Sequence, residues 1–156
     1  METYPAWDQL PAEEAMGQRG TWSVEDGWKD LTTVRGQFLG RGSSRKDRHL
    51  GHAPGTYAFP PARCSACRWM ELIIFREERT PDDCTGRYLV VKCGVSDVPG
   101  ETDRISFTWA LSPDDVVMAM LSKQGNQRML TRPALGALAR CAKYDEGLRD
   151  AFRAAA

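Results

Sequence analysis

The chain has 156 residues, 42% hydrophobic and 27% charged, with 21 basic side chains against 21 acidic and a formal net charge of zero. These proportions exclude a wholly disordered chain, a collagen-like repeat, a small disulfide scaffold and a uniformly basic nucleic-acid binder. A chain of this length buries roughly 68–70% of its unfolded surface, so it needs neither metal nor disulfide merely to fold.

The first residues, Met1-Glu-Thr-Tyr-Pro-Ala-Trp-Asp, have no basic n-region and no apolar h-region. No apolar run approaches the ~20 residues of a membrane span. The expectation is a cytoplasmic protein that does not engage a membrane.

Residues 1–62 read as irregular. They hold Pro5, Pro11, Pro54, Pro60 and Pro61 and many glycines, yet also Trp7, Trp22, Trp28, Phe38, Tyr57 and Phe59. Free linkers are poor in aromatics, so this stretch is expected to wrap a core or a partner. Within it, residues 11–17 suit a helical turn and residues 33–39 a short strand. Residues 40–47, Gly-Arg-Gly-Ser-Ser-Arg-Lys-Asp, are predicted to be a mobile loop.

Residues 68–111 read as three strands. Trp69-Met-Glu-Leu-Ile-Ile-Phe and Tyr88-Leu-Val-Val-Lys-Cys-Gly-Val are rich in β-formers. In the third, Ile105, Phe107, Trp109 and Leu111 alternate with Ser106 and Thr108, the period of a half-buried strand. Short connections favour an antiparallel meander.

Two helices follow. Ser112-Pro-Asp-Asp supplies an N-cap, a first-position proline and acidic residues for the first turn, and Gly125-Asn is the expected end. The second helix is predicted from Thr131-Arg-Pro to the C-terminus. Its apolar face is Ala134, Leu138, Cys141, Tyr144, Leu148 and Phe152. The expected fold is therefore α+β and a single domain. An irregular segment 1–62 wraps a core at 63–156, in which two C-terminal helices pack on a three-stranded antiparallel sheet.

The five cysteines are Cys64, Cys67, Cys84, Cys93 and Cys141, and the two histidines are His49 and His52. An odd count argues against a disulfide framework. Cys64-Ser-Ala-Cys67 and His49-Leu-Gly-His52 are two close pairs, and two such pairs can surround a tetrahedral zinc ion. The competing ligand set is Cys64, Cys67, Cys84 and Cys93. In a third reading the cysteines are reduced and unligated and the histidines lie on a solvated loop. A thioredoxin-like redox site fits poorly, because Phe59-Pro-Pro-Ala-Arg precedes the pair and a strand follows it. Cys93 and Cys141 fall at apolar positions and read as core residues.

The zero net charge conceals unlike blocks: −5 over residues 1–30, +6 over 31–68, −5 over 69–118 and +4 over 119–156. The positive block carries Arg35, Arg41, Arg45, Lys46, Arg48 and Arg63. Either it neutralises the acidic blocks within the fold, or it meets nucleic-acid phosphates or an acidic protein. No G-x-S-x-G, Walker loop, H-E-x-x-H or G-x-G-x-x-G is present. The sequence reading is thus a small non-enzymatic binding or regulatory protein with a structural zinc site. Its partner, a protein or a nucleic acid, meets the basic 35–63 segment. The alternative is a metal-dependent nuclease using His49 and His52 with a carboxylate such as Asp47.

Overall fold

The structure, a computed structural model, describes residues 11–25, 31–57, 64–78, 86–124 and 126–155. After a 3-10 turn at Glu13–Ala15 come strands β1 (Arg19–Glu25), β2 (Leu31–Ser43), β3 (Arg68–Glu77), β4 (Tyr88–Ser96) and β5 (Arg104–Ala110). They form one curled sheet in the order β1-β2-β3-β4-β5, each strand antiparallel to the next. The α+β class and the meander of the last three strands follow the sequence reading. The count of three strands is corrected to five: residues 19–25 form β1 where an irregular wrap was expected, and the short strand expected at 33–39 extends over 31–43 as β2, through the first half of the predicted mobile loop 40–47.

The glycines of β2 explain that miss. A Cβ at Gly42 would overlap the carbonyl oxygen of Pro133, and one at Gly40 would lie 2.8 Å from both Ala137 O and Cys141 Sγ. These glycines let helix backbone lie directly on the strand, a use distinct from making a turn. A β-bulge between Phe38 and Gly40 breaks the alternation with β3. It leaves both Leu39 and Gly40 facing the helices, so the strand carries no clean period-two signal.

The sheet separates two hydrophobic clusters. On one face, Leu39, Leu72, Ile74, Tyr88 and Val90 pack against helices α1 (Pro113–Met120), α2 (Arg132–Cys141) and α3 (Glu146–Ala155). On the other, Val34, Phe38, Ile73, Phe75, Leu89 and Val91 form a second core with Trp22, Phe107 and Trp109 at its margin. Strand alternation produces this division, since neighbouring residues of β3 point to opposite faces.

Helix α1 begins as predicted: Ser112 Oγ accepts the backbone N–H of Asp115 at 3.1 Å, and Pro113 occupies the first turn. It stops at Met120, earlier than the expected Gly125. Residues 121–124 instead form β6 (Leu121–Gln124), paired antiparallel with β7 (Gln127–Leu130). The predicted second helix is two helices. Asp145 ends the run: its Oδ1 accepts the Leu148 N–H at 2.8 Å and starts α3, while its Oδ2 accepts from Arg76 at 2.9 Å and Tyr88 at 2.8 Å. That buried carboxylate locks the C-terminal helix to the sheet. Among the described residues no helix is long and apolar enough to cross a membrane.

The fold sets the end of β2 beside the start of β3, since Ser43 pairs with Glu71 and Gly42 with Leu72. Segment 44–57 leaves the sheet at this end, and the turn at 64–67 leads back into β3.

Candidate metal centre

The C-x₂-C pair sits in a tight turn. The backbone N–H groups of Cys67 and Arg68 both donate to Cys64 O at 3.0 Å, which points the chain into β3. Cys64 and Cys67 are buried, in a small cluster of their own with Ala66 that Tyr57 and Val98 flank. The H-x₂-H pair arrives on segment 44–57, which contains no helix or strand. Gly51 and Gly55, at φ +76° and +77°, supply left-handed bends that other residues rarely adopt.

The four side chains converge. His49 Nδ1 lies 3.3 Å from Cys67 Sγ and 3.6 Å from Cys64 Sγ, and His52 Nε2 lies 3.4 Å from Cys67 Sγ. All four ligand atoms fall within 4.8 Å of one another, so they could hold one metal ion. The other ring nitrogen of His52, Nδ1, is 3.0 Å from the carbonyl oxygen of Ala53. A carbonyl only accepts, so this contact places the proton on Nδ1 and frees the Nε2 lone pair toward the sulfurs. Leu50 N–H donates to Cys64 Sγ at 3.4 Å.

The electrostatics distinguish the two thiols. Burial works against ionising Cys64, but the Leu50 N–H and then His52 outweigh it and bring its pKa down to about 6. Cys67 is moved the other way, by burial first and by the neighbouring Cys64 second. The His52 ring is raised, chiefly through its contact with Cys64. A buried sulfur held ionised beside imidazole nitrogens is the state a metal ligand needs.

The competing set Cys64, Cys67, Cys84, Cys93 is not what the described residues bring together. Cys93 is fully buried in β4 within the second core, and burial raises its thiol pKa to about 12. Cys84 lies outside the described residues. Cys141 is buried on α2 beneath the sheet, as its apolar position implied.

The six cations singled out in the sequence part company. Arg35 is exposed on β2. Arg41 turns inward: its Nε donates to the buried Glu71 carboxylate at 3.2 Å and its Nη1 to Pro11 O at 2.9 Å. Arg45 stacks over the Trp69 ring at 4.6 Å. Lys46 and Arg48 are exposed beside the centre and form no ion pair among the described residues. Arg63 lies outside the described residues. Arg68, not singled out in the sequence, forks onto Glu101 at 2.7 and 2.8 Å.

Sequence spacing missed the supports of the centre. Leu50 N–H and Ala53 O act through the backbone, which no residue type announces. The Tyr57 hydroxyl reaches Asp97 O at 2.7 Å, across 40 positions of chain, and only the folded sheet brings the two together. A scan against protein families, a search of curated proteins and a search of solved structures each found no match.

Proposed function

We propose that this chain is a small non-enzymatic binding protein, in which a structural zinc ion on His49, His52, Cys64 and Cys67 pins a basic loop that engages a protein or nucleic-acid partner. The observation that carries the reading is the convergence of four ligand atoms within 4.8 Å. With Zn–S near 2.3 Å and Zn–N near 2.0–2.1 Å, a tetrahedral ion sets its nitrogen and sulfur ligands about 3.6 Å apart. The observed nitrogen–sulfur separations are 3.3, 3.4 and 3.6 Å. Two imidazoles and two thiolates are a donor set that suits zinc. Cysteines kept as thiolates suit a reducing compartment, in keeping with a cytoplasmic protein.

Four protein ligands complete a tetrahedron. A catalytic zinc needs an open position for water or substrate, so this donor set favours a structural ion over the nuclease reading. The exposed Lys46 and Arg48, with Arg45 beside them, give the pinned loop the cations that an anionic partner would meet.

Elemental analysis of protein purified without chelator should find one zinc per chain, and Cys67→Ser should lose it. A mixed-sequence oligonucleotide should bind at low salt, with affinity falling steeply as salt rises. The double substitution Arg45→Ala with Arg48→Ala should weaken that binding. Absence of oligonucleotide binding at low salt assigns the loop to a protein partner. Metal-dependent phosphodiester cleavage that His49→Ala abolishes would replace this reading with the nuclease.

A further inference from the structure

Resting on the zinc reading above, we propose that the metal gates the partner-binding loop: segment 47–56 holds its shape only while the ion is bound, whereas the sheet and helices stand without it.

Among the described residues, little else holds the segment. None of residues 44–57 is buried, so the loop contributes no apolar core of its own. Among the described residues, every hydrogen bond that leaves 47–56 ends on Cys64 Sγ or Cys67 Sγ. The others, His52 Nδ1 to Ala53 O and Thr56 N–H to Ala53 O, are local. Sulfur is a weak acceptor, and an imidazole facing a thiol is a weak tether for ten residues of backbone. Two further features point to a hinge. Gly51 and Gly55 would meet nothing within 4 Å if a side chain were added, so no packing fixes them. The segment is also bracketed by firmer anchors: Ser44 exchanges two hydrogen bonds with Met70, at 2.9 and 2.8 Å, and Tyr57 is tied to Asp97.

The rest of the fold does not share this dependence. Neither large hydrophobic cluster contains a metal ligand. The ligands Cys64 and Cys67 pack in their own small cluster outside both cores. Removing the ion therefore leaves the main cores intact and releases one loop, a local opening coupled by mass action to metal binding. His49 and His52 lie on the released stretch together with Arg48 and the exposed Leu50, so this part of the surface offered to a partner is shaped in the metal-bound form only, while Arg45 and Lys46 lie outside it.

Hydrogen exchange on the full-length protein, read by mass spectrometry with and without a zinc chelator, tests the gate. An ion at about 100 times its Kd lowers the open population roughly 100-fold. Chelation should therefore speed exchange by about that factor at the Leu50 amide, whose N–H donates to Cys64 Sγ, and added zinc should reverse it. Peptides covering 72–75 and 89–91 should be unchanged, as should far-ultraviolet circular dichroism. His52→Ala should exchange fast in this loop even with zinc present. Stoichiometric zinc whose removal leaves loop exchange unchanged would overturn the gate and spare the centre. Failure to bind zinc at all would overturn the centre and the gate with it. Loss of the whole fold on chelation would also overturn the gate, making the ion a global staple.

Discussion

Asp145 ties β3, β4 and the start of α3 together. Its carboxylate accepts from Arg76, Tyr88 and the Leu148 N–H, and Arg76 Nη2 in turn donates to Gln37 at 2.6 Å. Burial, with Asp145 second, pushes the Tyr88 hydroxyl pKa up, which keeps it a donor. Removing one partner of a buried ion pair typically costs about 3–5 kcal/mol. Asp145→Ala should therefore lower urea stability by an amount of that order, while Tyr88→Phe, losing one hydrogen bond, should cost about 1 kcal/mol. Glu101 behaves differently because it is exposed. Arg68 and then Ser96 hold its carboxyl below the usual 4.5, so its contribution is present above that value and lost as pH falls through the lower folded one. The stability difference between wild type and Glu101→Gln at neutral pH should shrink as pH falls below 4.5 and vanish once the folded-state carboxyl is protonated. Thiol chemistry separates the cysteines in the same way. Alkylation followed by peptide mass spectrometry should label Cys64 and Cys67 only after chelation, and Cys93 and Cys141 only on unfolding, since burial raises both of the latter.

Among the elements, β2 and α2 set the tightest constraint. The carbonyl of Pro133 occupies the space a Cβ on Gly42 would need. Gly42→Ala must push the helix off the strand, and overpacking of this kind costs about 1–3 kcal/mol. Gly51→Ala meets no such neighbour; its penalty comes only from the left-handed backbone, so it should be the milder change in the same denaturation assay. Helix α1 depends on Ser112, whose hydroxyl satisfies the Asp115 N–H. Ser112→Ala should cost about 1 kcal/mol.

The molecule as a whole shares one sheet between two cores. Ile73 and Phe75 face one cluster while Leu72 and Ile74 face the other, so neither core survives loss of β3. Unfolding of the holoprotein should therefore be a single transition. Trp22, Trp69 and Trp109 belong to the second cluster and the helices to the first. Tryptophan fluorescence and far-ultraviolet circular dichroism should give coincident urea midpoints. Separate midpoints would mean that the two layers fold independently.

The division between what was legible and what was not follows the range of the forces involved. Short-range chemistry was readable along the chain. The period-two pattern of residues 105–111 marked β5, Ser112-Pro-Asp-Asp marked the start of α1, and the H-x₂-H and C-x₂-C pairs marked side chains able to share an ion. Which residues meet depends on the folded chain. It chose His49 and His52 over Cys93 as companions of Cys64 and Cys67, because β4 carries Cys93 into the second core. It turned Arg41 inward onto Glu71 and left Lys46 and Arg48 outside. It carried β2 on through the glycine-rich 40–43, since a glycine looks alike in a turn and under a helix until that helix is placed. Local propensity acts over a few residues, whereas each of these outcomes depends on chain segments that only folding brings together.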